Sequence, residues 1–134
     1  MSKVFIDTSA FFAFANAADA SHGEALAIMR RLGQADDDMF TTNFIVAETH
    51  ALLLSKVGRA LAAQFLRSLD TSTIRVVRVT ERDERRARQI IAQYADKDFS
   101  YTDATSFPVM ERLHIREAFS VDSDFEQFGF MLVG

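Results

Sequence analysis

Four acidic residues lie where carboxylates could do chemistry together: Asp7, Glu48, Asp103 and Asp122. Asp7 ends the apolar segment 4–6, and Asp122 ends the segment 118–121, so each directly follows a predicted strand. Ligand sites of open parallel sheets form beyond the carboxyl ends of the strands, which would bring these two carboxylates to one edge. For either residue alone, capping of the following turn is the favoured explanation.

The other two acids are predicted to lie in helices. Glu48 interrupts an otherwise apolar helical face, where a carboxylate is unfavourable unless something pairs with it. Asp103 falls in the first turn of a helix, where the helix dipole and backbone N–H groups alone could explain it. The four acids taken together are more informative than any one of them, because a parallel fold can bring together the strands and helices that carry them.

Carboxylates that cluster repel one another, and either protonation or a hard divalent cation relieves the repulsion. The chain contains no cysteine, so a metal would be bound by oxygen or imidazole. His22, His50 and His114 lack the spacing of a helical metal pair and are predicted to be structural. The residues therefore predict a Mg²⁺ or Mn²⁺ site, which could activate water for phosphodiester hydrolysis.

Strand-like and helical segments alternate along the chain. Predicted strands cover 3–7, 39–42, 74–79, 118–121 and 130–133. Predicted helices cover 10–16, 21–32, a segment from 43, 59–69, 80–94 and 102–113, and a turn is predicted at 123–127. This alternation predicts an α/β fold, a three-layer α/β/α domain with a mostly parallel sheet, spanning residues 1–134 as a single domain.

The composition is that of an ordinary globular protein, with 134 residues, 49% hydrophobic and 25% charged. No apolar run could span a bilayer, and the first residues lack the features of a signal peptide, so we expect a cytoplasmic protein that does not contact membranes. The net charge of −4 argues weakly against nucleic-acid binding, although six arginines fall between Arg75 and Arg88. Their simplest interpretation is a solvated helix face, and contact with an RNA backbone is the less favoured one.

Four motifs, taken in order, resemble those of the PIN-domain family, and in particular the VapC toxins of toxin–antitoxin pairs. They are FIDTSA at 5–10, TNFIVAE at 42–48, SYTDA at 100–104 and SVDSDF at 120–125. The resemblance covers nearly the whole chain. It implies a five-stranded parallel sheet, Mg²⁺- or Mn²⁺-dependent endoribonuclease activity on RNA, frequent homodimers and inhibition by a small antitoxin protein.

Carried over by position, the resemblance assigns Asp7 and Asp103 as the principal metal ligands, with Glu48 and Asp122 completing the site directly or through water. Thr8, Ser9 and Asp124 are accessory candidates.

Two features depart from the family pattern. Pro108 lies inside the helix that carries Asp103, where we expect a lost backbone hydrogen bond and a kink. Phe11, Phe12 and Phe14 make the first helix unusually aromatic, which favours core packing and leaves a dimer or antitoxin interface as the second interpretation.

Two other functions compete with the nuclease. A PIN-like protein without catalysis could serve as an RNA- or protein-binding module, although all four acids are present. A phosphotransfer domain with Asp7 as nucleophile would need a second acid beside it and a late-strand lysine, and Lys3, Lys56 and Lys97 fit this poorly.

Overall fold

The computed structural model describes residues 2–134. In that part, five strands are formed: β1 (Lys3–Ile6), β2 (Asp38–Thr42), β3 (Arg75–Val77), β4 (Glu117–Phe119) and β5 (Met131–Leu132). The same residues form seven helices: α1 (Thr8–Ala15), α2 (His22–Gln34), α3 (Asn43–Lys56), α4 (Arg59–Thr71), α5 (Glu81–Gln93), α6 (Tyr101–Arg112) and α7 (Asp124–Phe128). Among these helices, none combines the length and the apolar character that a bilayer crossing requires.

The strands form one sheet in the order β3-β2-β1-β4-β5, and every pairing is parallel. Strand β1 lies at the centre, where Phe5 aligns with Phe40 of β2 and with Ala118 of β4. Three consecutive residues of β1, Val4 to Ile6, are buried. Because neighbouring side chains of a strand point to opposite faces, both faces of the sheet are covered. The predicted five-stranded parallel α/β fold is confirmed.

An aromatic cluster fixes α6 and α7 against the sheet. The Phe107 ring stacks on Phe128 with centroids 4.3 Å apart and meets Phe125 edge-on at 5.2 Å. Phe125 in turn contacts Phe5 of the central strand at 5.8 Å. Such pairs add about 0.5–1.5 kcal/mol each beyond the area that they bury. The cluster therefore holds the helices that carry Asp103 and Asp124 in fixed positions relative to β1.

The predicted turn at 123–127 is wrong, because this segment forms the short helix α7. Phe125 is fully buried and anchors the helix. Gly129, at a φ of 124°, ends it, while the N–H groups of Gly129 and Phe130 both bond to the carbonyl of Phe125. A positive φ costs glycine little, which is why the chain can reverse there.

Pro108 does not interrupt α6, which runs without a break from Tyr101 to Arg112. The proline is buried and has no N–H to give to the carbonyl of Ala104. One turn earlier, the hydroxyl groups of Thr105 and Ser106 both bond to the carbonyl of Thr102. Tertiary packing thus outweighs the unfavourable effect of proline, and the expected kink stays a prediction.

Candidate active site

Asp7 lies at the carboxyl end of the central strand and is 2% exposed. Its backbone N–H bonds to the carbonyl of Phe119 at 3.1 Å, which ties it to the end of β4. Two hydroxyl groups donate to its Oδ2 atom, Ser120 at 2.6 Å and Ser9 at 2.8 Å. Asp7 is the N-cap residue of α1, but in the described chain its side chain makes no regular capping hydrogen bond. Turn capping therefore does not explain this carboxylate.

Burial raises the pKa of Asp7 to about 6. The hydrogen bonds from Ser120 and Ser9 lower it, and the nearby charge of Asp122 raises it again. The two hydroxyls thus compensate part of the desolvation of the carboxylate. The Asp7 carboxylate is thus held in one orientation, but no positively charged group is among the main causes of its pKa shift.

Asp103 is the third residue of α6 and is 8% exposed. Its backbone N–H bonds to Ser100 Oγ at 3.0 Å, and its Oδ2 accepts from the N–H of Ser100 at 3.4 Å. This reciprocal capping box fixes the start of α6. The helix-start explanation for Asp103 is therefore correct, but it does not account for the charge around this residue.

Burial also raises the pKa of Asp103, to about 8. The next cause is the side chain of Asp124, followed by the charges of Asp7, Asp124 and Asp122. Within residues 2–134, Asp103 takes part in no ion pair with a basic side chain. A carboxylate in these surroundings is stabilised by a proton or by a cation from outside the chain.

Asp122 and Asp124 come from the loop after β4 and the start of α7. Asp122 is exposed, and its Oδ1 atom accepts from the N–H of Asp124 at 3.1 Å. Its turn-capping interpretation is thus also correct, although its charge still acts on Asp7 and Asp103. The structure brings Asp7, Asp103, Asp122 and Asp124 together in one acidic cluster.

Glu48 stands apart from this acidic cluster. It lies half-buried on α3, a helix capped by the hydroxyl of Thr42, which accepts from the N–H of Ile45 at 3.1 Å. Glu48 is not among the main groups that shift the pKa of Asp7 or Asp103. Its role at the site stays a prediction.

The donor set of the acidic cluster suits a hard cation, since it offers carboxylate oxygens without sulfur or imidazole. As the side chains stand in the described chain, no three acids or histidines converge on a single ion position. Mg²⁺ is usually bound through one or two carboxylates, with water at its other positions, so two acids are sufficient. Next to Asp7, the buried hydroxyl of Thr8 has no hydrogen-bond partner in the described residues, as expected beside a bound polar group.

Sequence reasoning missed Ser120 and underrated Asp124. Ser120 stands two residues before Asp122 and forms the shorter of the two hydroxyl contacts with Asp7. A hydroxyl that ends a strand beside an acid was a usable signal for it. Asp124 was predicted to be accessory because it lies at a position that varies within the family, and its proximity to Asp103 depends on α7, which the sequence did not predict.

Several known proteins are similar to this chain. VapC20 of Mycobacterium tuberculosis, named a 23S rRNA-specific endonuclease, is 35% identical over 132 residues, 97% of each chain. Its crystal structure, titled as that of a toxin that cleaves the sarcin–ricin loop, superposes with a TM-score of 0.86 over 96% of both chains. A VapC ribonuclease of Archaeoglobus fulgidus is 33% identical over 90% of this chain and 77% of its own length.

A more distant structure, VapBC2 of Rickettsia felis with a promoter DNA fragment, shares the fold at a TM-score of 0.69 and 10% identity, over 98% of this chain and 97% of its own. The PIN-domain family itself matches residues 4–131, which include all of the acids described above. With a match of this extent, and a relative that is 35% identical over almost its full length, the chain belongs to the PIN-domain family.

Proposed function

We propose that this protein is a Mg²⁺- or Mn²⁺-dependent endoribonuclease and the toxin of a toxin–antitoxin pair. The observation that carries the proposal is Asp103, a buried carboxylate whose pKa is raised to about 8 by burial and by acidic neighbours. A divalent cation bound there would offset both the desolvation of the carboxylate and its repulsion by the neighbouring acids. The names of the relatives support RNA as the substrate and a toxin as the biological role.

In this proposal, Asp7 and Asp103 hold the cation, and Glu48 and Asp122 complete its surroundings directly or through water. A bound Mg²⁺ or Mn²⁺ would supply an activated water and polarise the scissile phosphate. Ser9 and Ser120 keep the Asp7 carboxylate in one orientation through their bonds to Oδ2. Asp124, next to Asp103, shares the proton that would leave when the cation binds.

The proposal is tested by incubating the purified protein with a mixed RNA pool in Mn²⁺, in Mg²⁺ and in EDTA. We expect endonucleolytic fragments with either metal and none with the chelator. Cleavage that persists in EDTA would contradict the proposed metal dependence. An intact pool under every condition would instead favour the non-catalytic binding module.

The antitoxin is proposed to bind an apolar groove between α1, α2 and α4. Its floor and walls are formed by Phe11, Phe14, Met29, Met39, Phe65, Leu69 and Ile74. Phe11 is 3% exposed and belongs to the core, whereas Phe12 and Phe14 are only partly buried. Of these three rings, Phe14 is the one that both lines the groove and is partly exposed, so it is accessible to the apolar face of an amphipathic helix.

Co-expression with the neighbouring reading frame tests this interface. We expect a small protein to co-purify with wild type and to be lost with Phe14→Asp, while Phe12→Asp, at a partly buried ring of α1 that does not line the groove, serves as the matched control and should retain it. Retention by Phe14→Asp would place the antitoxin elsewhere. A homodimer and a cytoplasmic location are part of the same proposal, and light scattering of the purified chain checks the former.

A further inference from the structure

Tyr101, the first residue of α6, is an aromatic ring held firmly at the surface. Its hydroxyl donates to Glu84 Oε1 at 2.9 Å and accepts from Arg88 Nη1 at 3.1 Å. Glu84 and Arg88 are four residues apart on α5, so they lie on one face of that helix, and both bond to the Tyr101 hydroxyl. The residue is nevertheless 37% exposed. Its orientation is fixed, yet part of its surface faces solvent.

The ring lies at the end of α6 that carries Asp103. Tyr101 precedes Asp103 by two residues, so the two side chains start roughly 3 Å apart along the helix axis and point to different faces of the helix. Its other neighbour is Phe44, whose ring centroid is 6.3 Å away. Phe44 is four residues before Glu48 on α3, so the two share a helix face. The Phe44–Tyr101 pair thus bridges the helices that carry two of the predicted site acids.

We propose that Tyr101, supported by Phe44, is a stacking platform for one RNA base next to the scissile phosphate, with Arg88 contacting the adjoining backbone phosphate. This inference rests on the proposed ribonuclease function and adds a substrate-positioning site to it. The carboxylates next to it can bind a phosphate only through a cation, whereas Arg88 can do so directly.

The chemistry of these residues favours a nucleic acid. An aromatic face next to an arginine is the usual arrangement for binding single-stranded RNA, because every base has a π-face and every link has a phosphate. Arg88 is exposed and uses one of its five N–H donors on Tyr101. Three other arginines of segment 75–88 form ion pairs with acids, Arg75 with Asp38, Arg85 with Glu81, and Arg86 with Glu111, whereas Arg78 and Arg82 form none among the described residues.

A direct test of stacking uses Tyr101→Trp. The sequence contains no tryptophan, so emission excited at long wavelength would come from position 101 alone. A mixed-sequence single-stranded oligoribonucleotide is titrated in EDTA, which separates binding from metal-dependent cleavage. We expect saturable quenching of the tryptophan emission. Emission that is unchanged at RNA concentrations where an independent assay shows saturation would overturn the platform.

Affinity measurements supply the second test. Tyr101→Leu removes the ring, and we expect RNA binding to weaken by about 5- to 100-fold. Tyr101→Phe keeps the ring and loses the bonds to Glu84 and Arg88, so its affinity should stay within about threefold of wild type. Each variant is compared at a temperature well below its own melting point. Equal affinity of Tyr101→Leu and wild type would contradict the proposal, as would equal losses in the leucine and phenylalanine variants.

The arginine is tested with a matched pair on the same helix. Arg88→Gln should weaken RNA binding and reduce the slope of log affinity against log salt by about 0.7, the value for one phosphate contact with a single strand. Arg85→Gln, which loses only the exposed pair with Glu81, should leave the slope unchanged. An equal change of slope in both variants would remove Arg88 from the proposed site.

Failure of the platform and failure of the nuclease give different results. Mn²⁺-dependent cleavage with the same KM in wild type and Tyr101→Leu would reject the platform and leave the nuclease intact. Quenching of Tyr101→Trp by RNA, together with absence of cleavage in any metal, would keep the platform and reject the nuclease. The joint expectation is a raised KM and a smaller change in kcat for Tyr101→Leu.

Discussion

Asp83 and Asp103 occupy the same position at the start of their helices, but their pKa values are shifted in opposite directions. Each is the third residue of a helix, α5 or α6, and each completes a capping box, with Thr80 in one case and Ser100 in the other. Both are buried, at 3% and 8% exposure. The pKa of Asp83 is lowered, whereas that of Asp103 is raised to about 8.

The difference comes from the side chains that other elements supply. Burial raises the pKa of both residues, but at Asp83 it is outweighed by hydrogen bonds from Arg112 and Thr80 and by the charge of Arg112. The guanidinium donates to both carboxylate oxygens of Asp83, with Nη2 at 2.9 Å from Oδ2. Asp103 meets Asp124 and other acids instead. A buried acid paired with an arginine is explained by the structure itself, whereas a buried acid among other acids is a candidate for a functional site.

The largest expected effect is on RNA cleavage, which should depend on Asp103 and not on Asp83. Asp103→Asn removes a proposed cation ligand, and we expect Mn²⁺-dependent RNA cleavage to fall by at least about 100-fold while the protein stays folded. Asp83→Asn should retain cleavage per folded molecule and lose stability instead, by about 1–2 kcal/mol, since Arg112 is 40% exposed. Cleavage assays and urea melts of both variants make the comparison.

Asp124→Asn refines this result, because its carboxyl group is a direct neighbour of Asp103. We expect a much smaller loss of cleavage than with Asp103→Asn, since an amide can still bond to the ligand carboxylate. Equal losses in the two variants would show that Asp124 is itself a ligand, and that the fourth acidic position was assigned wrongly.

Melting temperatures should move in opposite directions in the two variants. Without metal and above about pH 8, where Asp103 is ionised, Asp103→Asn removes a repelling charge and should melt higher than wild type, whereas Asp83→Asn should melt lower. Mn²⁺ at a hundred times its dissociation constant adds about 2.7 kcal/mol to wild type, a rise of several degrees. Asp83→Asn should keep this increment and Asp103→Asn should lose most of it. An Asp103→Asn protein that keeps the full increment would place the cation elsewhere.

Asp103 and Asp83 should also make the stability of the metal-free protein depend on pH in opposite ways. A raised pKa means that the folded state binds the proton more tightly, so Asp7 and Asp103 contribute stability at low pH that is lost as pH rises through about 6 and about 8. Asp83, with a lowered pKa, contributes stability that is lost only as pH falls below its unfolded value, near 4. Thermal melts in EDTA should therefore show declining stability between pH 5 and 9, and Asp103→Asn should flatten the upper part of that decline.

The sequence could predict the local features of these acids, namely the helix or strand end at which each one lies. The Thr-Glu-Arg-Asp start of α5 and the position of Asp103 in the first turn of α6 follow from spacing alone. The strand that delivers Asp7 was equally clear, because an apolar run that ends in an acid is a short-range pattern. The parallel sheet then followed from the alternation of elements, and the structure confirms it.

The charge environment could not be predicted in the same way, because it depends on contacts between distant residues. Arg112 reaches Asp83 across 29 positions, and Ser120 reaches Asp7 across 113. Arginines stand near Asp83 in sequence, at 82, 85, 86 and 88, but the arginine that binds its carboxylate is the distant Arg112. The misassigned turn at 123–127 had the same origin, since α7 depends on Phe125 packing against Phe5 and Phe107.

The smallest expected effect concerns Ser120, whose hydroxyl lowers the pKa of Asp7. Ser120→Ala should raise that pKa further and weaken Mn²⁺ binding by a few-fold near pH 6, with little change at pH 9, where Asp7 is ionised in either protein. Isothermal titration at the two pH values measures this. Ser9→Ala, which removes the other bond to Oδ2, is the matched control and should behave alike.

The central position of β1 also has a consequence for the order in which the protein becomes active during synthesis. Asp7 is made before the groups that orient it, which belong to β4 and the segment after it. Contacts of such long sequence separation have a larger loop-closure cost than local ones. On a nascent chain that ends before residue 117, Asp7 would be a solvated carboxylate without its partner strand. We expect a ribosome that is making this protein to carry an incomplete acidic cluster until Asp122 and Asp124 have been made.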